Sequence, residues 1–312
     1  MIDIWKRSEL DKLMRKHGLR CSKALGQNFL TDKNILEKIV RAADIQKGDH
    51  IIEIGAGLGA LTVLLAQAQT GRVTAVEIDR RLIPALREAV SGLSNVEIVN
   101  EDFLKYDLPR DKEKPTGSCR QAADSCRQAA DSCERAADSS RQHNEEISRS
   151  LKIVGNLPYN ITTPVIIKLI EESASFSRAV LMMQKEVAER LVAPAGKKTY
   201  GAISVLVQYY TEAEILFTVS REVFSPKPGV DSAVISLVPK DLSARDPETA
   251  ACMFRLVRAG FDMRRKTLRN SLASAGYPEE TLLAALKSAD VDPVRRAETL
   301  SPDDFYNIAS QL

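Results

Sequence analysis

The sequence EIGAGLGAL (53–61) places three glycines between an apolar strand and an apolar helix. The strand HIIEIG (50–55) leads into it, and the helical segment ALTVLLAQAQ (60–69) follows. Glycines at such a turn let the backbone come close to a ligand that faces the helix N-terminus. A glycine turn of this kind occurs in NAD-binding and FAD-binding proteins and also where it serves packing alone. The residues at the neighbouring strand ends are therefore needed to identify a ligand.

Strand-like and helix-like segments alternate from residue 32 to residue 240. DKNILEKIVRAADI (32–45) has the spacing of an amphipathic helix capped by Asp32, and RLIPALREAV (81–90) reads as another helix. This alternation predicts an α/β fold, a Rossmann-like doubly wound and mostly parallel sheet with one antiparallel strand. Besides 50–55, the predicted strands are RVTAVEID (72–79), NVEIVNED (95–102), LKIVG (151–155), AVLMM (179–183) and an antiparallel pair, EILFTV (214–219) and SAVISLV (232–238).

The strand signals stop near Pro239, and the remaining residues read as several short helices. We therefore predict a catalytic domain over 1–240 and a small helical domain over 241–312. Residues 118–138 are tandem heptads whose cysteines recur as C-x6-C-x6-C. This spacing lacks the close ligand pairs of a zinc site, and on a helix it separates the cysteines by ~10 Å, too far for a disulfide. We interpret 115–149 as an inserted surface loop without catalytic function and predict no metal site.

Composition excludes some classes of protein. The 312 residues are 44% hydrophobic and 28% charged, as in soluble globular proteins, and no apolar run approaches the ~18 residues of a membrane span. The N-terminal segment lacks the apolar core of a secretory signal, and five cysteines, an odd number, are typical of reduced thiols in a cytoplasmic protein. We therefore expect a cytoplasmic protein.

Net charge is only +2, but basic residues cluster at 6–23 and 255–269. Such clusters are often solvated helix faces; two of them, at opposite ends of the chain, can also flank one polyanion. We therefore predict that the second cluster contacts a polyanion; it contains Arg255, Arg258, Arg264, Arg265, Lys266 and Arg269.

Acidic residues end the two predicted strands that follow the glycine turn. Glu77 lies 22 residues after Gly55, where a carboxylate can accept hydrogen bonds from both hydroxyls of a ribose. Asp102 ends the next strand, where a carboxylate can accept from an adenine amino group. Gly55, Gly57 and these two acids line the carboxyl-end crevice of the predicted sheet, so together they indicate a nucleoside pocket.

The residues at the end of the fourth strand distinguish a pocket for S-adenosylmethionine from a pocket for a dinucleotide. Asn156-Leu157-Pro158-Tyr159 follows LKIVG and brings to the crevice a carboxamide, a backbone carbonyl beside a stiffening proline, and an aromatic ring. Two acceptors and a ring suit the exocyclic nitrogen of adenine. Hydrogen bonds from its two protons favour pyramidalisation of this poor nucleophile, so positioning and electrostatics suffice for attack on a sulfonium methyl group.

With these residues in place, the sequence resembles the ribosomal RNA small-subunit adenine N6,N6-dimethyltransferases nearly end to end. The resemblance rests on LGQNFL (25–30), EIGAGLGALT (53–62), VEID, ED, NLPYNI (156–161), FSPKPGVDSAV (224–234) and the basic FDMRRKTLRNSL (261–272). The heptad insertion departs from the family pattern, which has a much shorter connection there, but it leaves these motifs intact.

The resemblance implies a role for each motif. Asn28, Leu30, Gly55 and Asn156 are expected to contact S-adenosylmethionine, and Tyr159 with Phe224 to sandwich an extruded base. The basic cluster at 255–269 is expected to contact RNA. The implied substrate is a pair of adjacent adenosines in a hairpin loop near the 3′ end of small-subunit rRNA in an immature subunit, each of which receives two methyl groups. Bases in such loops need little unstacking energy to be extruded.

Other functions share part of this pattern. Enzymes that methylate a glutamine side-chain amide also present Asn-Pro-containing loops to a planar nitrogen, but they have no need of the 255–269 cluster. DNA adenine methylation uses the same chemistry, although the chain has no obvious large DNA-recognition domain. A protein that acts mainly as a binding factor in small-subunit assembly is a third, non-catalytic alternative.

Overall fold

A computed structural model of the protein describes residues 3–22, 25–68, 71–109, 150–172 and 176–312. The predicted inserted loop at 115–149 lies outside the described residues. No helix within the described part of the chain is long and apolar enough to cross a membrane.

The secondary structure alternates as the sequence predicts. The strands are β1 (Phe29–Leu30), β2 (His50–Ile54), β3 (Arg72–Val76), β4 (Val96–Val99), β5 (Leu151–Asn156), β6 (Arg178–Gln184), β7 (Thr211–Val219), β8 (Phe224–Ser225) and β9 (Ser232–Pro239). The helices are α1 (Arg7–Lys16), α2 (Lys33–Ala42), α3 (Ala60–Gln67), α4 (Ile83–Ala89), α5 (Thr162–Glu171), α6 (Lys185–Leu191), α7 (Ala202–Tyr210), α8 (Pro247–Asp262), α9 (Leu268–Leu272), α10 (Glu279–Ser288) and α11 (Pro302–Ala309).

Seven strands form one sheet in the order β4-β3-β2-β5-β6-β9-β7. The pairs from β4 to β6 are parallel, and β9 runs antiparallel to both β6 and β7. One strand is therefore antiparallel to all the others, and the predicted fold class is confirmed. The predicted antiparallel pairing of the last two long strands is confirmed as well, with an irregularity between Ile215 and Phe217.

The strand order reverses at β2, which pairs with β3 on one side and with β5 on the other. The chain first builds the sheet outward through β3 and β4 and then crosses back to β5. The two crossover connections therefore leave a crevice at the carboxyl ends of β2 and β5, the place where open α/β sheets bind ligands. Ile51, Ile52 and Ile54 of β2 are 0–1% exposed, so this central strand holds the crevice rigidly.

A second, two-stranded sheet pairs β1 with β8 in antiparallel register, with Leu30 opposite Phe224. The Thr31 N–H also donates to the Val223 carbonyl (2.8 Å). This pairing was not predicted, because two residues of strand carry no periodicity that sequence analysis can detect. It brings the LGQNFL segment next to the FSPKPGVDSAV segment at the edge of the crevice.

After Pro239 the described chain is helical. Asp246 caps α8 by accepting from the Thr249 N–H (2.7 Å), and Ser301 and Asp304 form a capping box at α11, so local sequence determines where these helices begin. The rings of Tyr210 and Phe254 stack at 5.7 Å, and one hydrophobic cluster runs from the sheet into the C-terminal helices. The domain boundary at 240/241 stays a prediction, since the two parts share this core.

Candidate active site

The crevice at the carboxyl ends of β2, β3 and β5 is a cleft that encloses about 1330 Å³ of space, including the part open to solvent. Its lining contains every predicted cofactor-binding residue and the whole 156–159 loop. The predicted residues in the lining are Asn28, Leu30, Gly55, Gly57, Glu77, Asp102, Asn156, Leu157, Pro158 and Tyr159. Residues from five separate segments of the chain thus meet in one place.

The glycine turn needs its glycines for two different reasons. Gly55 and Gly57 have φ values of 72° and 59°, a left-handed conformation that side chains disfavour, and both face the cleft. Gly59 precedes α3 and is also left-handed, with a φ of 89°, and a Cβ there would in addition lie 2.8 Å from Leu86 Cδ1 on α4. The first two glycines therefore shape the cleft, and the third allows the helices behind it to pack.

Glu77 is 5% exposed and fixes the turn through its carboxylate. The Gly57 N–H donates to its Oε2 (2.7 Å), and the Asp79 N–H donates to its Oε1 (2.8 Å). Burial raises the pKa of Glu77, and these backbone hydrogen bonds oppose the rise. A carboxylate has about four acceptor positions, so Glu77 can still accept from the hydroxyls of a ligand.

Asp102 follows β4 and is partly buried at the edge of the cleft. Its Oδ1 accepts from the Leu104 N–H (3.0 Å), which closes a turn and orients the carboxyl group. Glu101 lines the cleft beside it. The second and third strand ends therefore contribute carboxylates, as the sequence predicted for a nucleoside pocket.

Asn156 joins the N-terminal segment to the 156–159 loop. Its Nδ2 donates to the Asn28 carbonyl (3.1 Å), while Asn28 Nδ2 donates to the Gly26 carbonyl (3.1 Å). With its amide nitrogen engaged, Asn156 presents its carbonyl oxygen as an acceptor. The Leu157 N–H donates to the Met182 carbonyl (2.9 Å), so the loop stays anchored to β6 as it leaves the sheet.

Tyr159 is half-buried, and its hydroxyl lies 2.9 Å from Ser232 Oγ. Ser232 is 0% exposed at the start of β9, so it holds the ring from a rigid position. Burial raises the pKa of the Tyr159 hydroxyl. The sequence analysis assigned no role to Ser232, although it lies inside the quoted FSPKPGVDSAV motif.

Phe224 lies outside the cleft lining. It is 3% exposed and packs in the same hydrophobic cluster as Leu30, its partner in the two-stranded sheet. Its predicted stacking on a base stays a prediction, and it requires the ring to leave this packing.

The charged side chains that line the described cleft are all acidic. Of the described residues that line it, Glu53, Glu77, Glu101 and Asp102 carry carboxyl groups, and none carries a basic side chain. Such a lining favours a ligand with positive charge. Glu53 was not among the predicted site residues, although it is the one acidic side chain inside the apolar strand HIIEIG.

A hydrogen-bond chain that the sequence analysis also missed secures the N-terminal side of the cleft. Gln27 Nε2 donates to Asp79 Oδ2 (2.8 Å), and Gln27 Oε1 accepts from the Ser22 N–H (2.7 Å). The Arg81 guanidinium pairs with Asp79 and holds the pKa of that carboxyl at about 2. The segment before Asn28 is thereby tied to the residues that follow Glu77.

The second basic cluster is split between free and engaged side chains. Arg255 donates to the Tyr277 hydroxyl (2.5 Å), and Arg269 pairs with Glu279 (2.7 Å). Arg265 and Lys266 are exposed, and the described residues give them no partner. Arg258 is exposed on α8. RNA contact by this cluster stays a prediction. Arg265 and Lys266 can make such a contact without first breaking a contact inside the described part of the protein.

Arg264 has a structural role besides its predicted one. Its Nε donates to Glu298 Oε2 (2.7 Å), and its Nη2 donates to the carbonyls of Lys198 (2.6 Å) and Tyr200 (3.0 Å). The guanidinium therefore joins the C-terminal helices to the loop that precedes α7.

The comparison with known proteins decides the family. The family model described as ribosomal RNA adenine dimethylase matches residues 18–312. The chain belongs to this family. It is 43% identical to a ribosomal RNA small subunit methyltransferase A from Pelotomaculum thermopropionicum, over 100% of this chain and 98% of that protein. A protein of the same name from Lactiplantibacillus plantarum is 42% identical over 100% of this chain and 96% of its own length.

Solved structures of adenine dimethylases and their relatives share the fold. A dimethyladenosine transferase from Plasmodium falciparum has a TM-score of 0.70 and 26% identity, covering 90% of this chain and 95% of its own. The 23S rRNA methyltransferase ErmE has a TM-score of 0.66 and 25% identity, covering 91% and 99%. Both structures align with about nine-tenths of this chain, and the family model extends over the C-terminal helices.

Proposed function

We propose that this protein transfers methyl groups from S-adenosylmethionine to the N6 amino groups of two adjacent adenosines in a hairpin loop near the 3′ end of small-subunit rRNA. The observation that carries the proposal is the meeting of the glycine turn, the acids at the strand ends and the 156–159 loop in one cleft. Membership in the adenine dimethylase family and the names of its relatives support the same activity.

The residues of the cleft fit the cofactor. Carboxyl groups without a basic counterpart suit its positive charge, and the left-handed glycines leave room where side chains would project. When bound, S-adenosylmethionine supplies an electrophilic methyl group on a sulfonium ion. Gly55 and Gly57 would approach it through their backbone, Glu77 would accept from its ribose hydroxyls and Asp102 from its adenine amino group.

The 156–159 loop would activate the target base. The Asn156 carbonyl oxygen and the Leu157 backbone carbonyl would accept hydrogen bonds from the two protons of the adenine amino group, which would favour a pyramidal nitrogen with a localised lone pair. Asn156 is already oriented for this by its bond to the Asn28 carbonyl. The Tyr159 ring, held by Ser232, would stack on the base and fix its position for in-line attack.

No side-chain base is needed before attack in this scheme. The amino group becomes acidic once its nitrogen has gained the methyl group, and the proton can then leave to solvent. Catalysis therefore rests on orientation and on acceptors prepositioned toward the developing positive charge. This agrees with a cleft that contains no histidine among its described lining residues.

An exposed basic surface supports RNA as the substrate. Arg265 and Lys266 can pair with phosphates without first breaking an internal contact, and we propose them as backbone contacts of the rRNA. We propose an immature small subunit as the substrate particle.

The test is transfer of radiolabelled methyl groups to small subunits from cells that lack this modification, with naked rRNA, duplex DNA and a release-factor protein in parallel. The proposal expects label in small subunits as N6,N6-dimethyladenosine at two adjacent positions. Label in protein alone would indicate a glutamine-amide methyltransferase. Cofactor binding without any transfer would leave a non-catalytic assembly factor.

A further inference from the structure

A buried pair of hydroxyl groups lies behind the ring that faces the cleft. The Tyr159 hydroxyl is 2.9 Å from Ser232 Oγ, and Ser232 is 0% exposed. Tyr159 belongs to the lining of the cleft, whereas Ser232 does not. Ser232 can therefore act on a molecule in the cleft only through Tyr159. Serine is mostly found at exposed positions, so the presence of this hydroxyl group in the core needs an explanation.

Ser232 is fixed on both sides by the main sheet. It is the first residue of β9, opposite Gln184 of β6 and opposite Val219 of β7. The preceding residue, Asp231, accepts from the Lys185 N–H through its carbonyl (3.0 Å). A strand that is paired on both edges has little freedom to move, so Ser232 Oγ is a hydrogen-bonding partner in a fixed position.

The backbone on which the Tyr159 ring stands is fixed as well. Two residues before it, the Leu157 N–H donates to the Met182 carbonyl (2.9 Å), and two residues after it, the Ile161 N–H donates to the Pro158 carbonyl (3.2 Å). The ring is thus held at its Cβ end by the loop and at its hydroxyl end by β9. These two attachments fix the long axis of the ring. Without the second attachment, the ring can turn to another rotamer.

The two methyl transfers to one adenosine differ in how firmly the loop can hold the amino group. Adenine has two protons on this nitrogen, one for the Asn156 carbonyl oxygen and one for the Leu157 carbonyl in the proposed scheme. N6-Methyladenosine has one proton left there, so one acceptor loses its donor. A base held by two hydrogen bonds has a fixed orientation, whereas a base held by one can pivot about it. Stacking on the Tyr159 ring then has to oppose the pivot.

We infer that Ser232 is a positioning residue that holds the Tyr159 ring for methyl transfer, and that it matters more for the second transfer to each adenosine than for the first. The inference rests on the proposed function, since it assumes that substrate. In the second transfer the lone pair of the N6 nitrogen forms the new C–N bond, while the C–S bond to the methyl group breaks and its electron pair stays on sulfur. The remaining N–H proton then leaves to solvent.

Single-turnover transfer to small subunits that lack the modification measures the two steps separately. The reaction is run with saturating S-adenosylmethionine, and the digested rRNA is resolved into N6-methyladenosine and N6,N6-dimethyladenosine. Ser232→Ala should slow the first transfer less than about threefold and the second about tenfold, because a neutral hydrogen bond is lost where the base has fewest other contacts. N6-Methyladenosine should therefore accumulate. Equal slowing of both transfers, or no slowing of either, would overturn the inference.

Two further variants assign the effect to the pair of hydroxyl groups. Ser236 lies four residues further along β9, is 1% exposed and accepts from Arg178 Nη1 (3.3 Å), so Ser236→Ala makes the same change away from the cleft and should leave both transfers unchanged. Tyr159→Phe keeps the ring and loses the hydroxyl, so it should give the same accumulation of N6-methyladenosine. Ser232→Ala should add little to Tyr159→Phe. Fully additive slowing in the double variant would overturn the inference.

The pair can also be observed without cofactor or RNA. In protein with ¹³C-labelled tyrosine rings, Tyr159→Phe identifies the Tyr159 signals, and the other tyrosine signals show that each variant is folded. Ser232→Ala should shift the signal of the ring carbon that bears the Tyr159 hydroxyl, and Ser236→Ala should leave it in place. An unchanged signal in Ser232→Ala would overturn the inference alone. Failure of the wild-type protein to transfer any methyl group would overturn the proposed function as well.

Discussion

The buried carboxyl groups near the two ends of strand β2 differ in their hydrogen bonding. Asp49, just before the strand, is 3% exposed and pairs with Lys152 at 3.0 Å, and its oxygens accept from the Gln46 N–H and the Ser150 hydroxyl. Glu53, four residues on, is equally buried and unsatisfied. The carboxyl group at the amino end of β2 is thus fully paired within the fold, whereas the one beside the cleft has an oxygen without a partner among the described residues.

The pKa values of the two acids express the same contrast. Burial alone would raise the pKa of Asp49, but hydrogen bonds from Gln46, Lys152 and Ser150 outweigh it and lower the pKa. For Glu53 burial outweighs the opposing Thr62 hydroxyl, and the pKa rises to about 8. One acid thus stabilises the fold when it is charged, and the other destabilises it.

The largest effect on stability is expected from a substitution of Asp49, at the amino end of β2. Asp49→Asn leaves Lys152 buried without its counter-charge and should lower the free energy of unfolding by about 3–5 kcal/mol. Denaturant unfolding at pH 7 measures the loss. The affinity of the folded protein for S-adenosylmethionine should be unchanged. A weaker affinity would mean that the two ends of β2 are not independent.

The next effect concerns the pH dependence of stability. A carboxyl group with a raised folded pKa costs stability as pH rises from its unfolded value, near 4.5, through about 8. Glu53→Gln removes this cost, so without cofactor it should be more stable than wild type at pH 9, by about 2–4 kcal/mol, and within about 1 kcal/mol of it at pH 5. Paired unfolding curves at the two pH values check this. A variant less stable than wild type at pH 9 would show that the charge of Glu53 supports the fold.

At the carboxyl end of the neighbouring strand β5, Asn156→Ala should remove activity without unfolding the protein. Loss of one acceptor aimed at the reacting amino group should slow methyl transfer at least about 100-fold, as for other prepositioned groups in active sites. Single-turnover assays with saturating cofactor measure the rate, and thermal melting monitors the fold. A melting temperature lowered as much as by Asp49→Asn would instead make Asn156 a structural residue.

The smallest effects are expected in the basic cluster at 255–269. There Arg264 has partners within the protein, whereas Arg265 and Lys266 have none among the described residues. Arg265→Ala with Lys266→Ala should weaken RNA binding and reduce its salt slope by about two, with no change in stability. Arg264→Ala should lower the free energy of unfolding by about 1–2 kcal/mol, because the carbonyls of Lys198 and Tyr200 lose their donor. Binding assays across a salt series and unfolding curves test the pair. The reverse pattern would contradict this division.

Local patterns in the sequence predicted most of the sheet and the cleft. Apolar runs ending in Gly, Glu, Asp or Asn fix both a strand and the place where its side chains meet, because parallel strands bring their carboxyl ends together. The helix caps at Asp32 and the strand pairing of β7 with β9 also followed from local signals.

What the sequence did not predict depends on contacts between distant residues. The pairing of Leu30 with Phe224 and the bond of Arg264 to the Tyr200 carbonyl carry no local signal. The unsatisfied state of Glu53 likewise becomes visible only when all neighbouring donors are placed.

The most direct test of the account is made in cells. The chain, or its Asn156→Ala variant, would be expressed in bacteria whose small-subunit rRNA lacks dimethyladenosine, and the rRNA would be digested and mapped by mass spectrometry. We predict N6,N6-dimethyladenosine at two adjacent positions of the 3′ hairpin loop with the wild-type chain and at neither position with the variant. Unmodified adenosines despite abundant, folded wild-type protein would contradict the account.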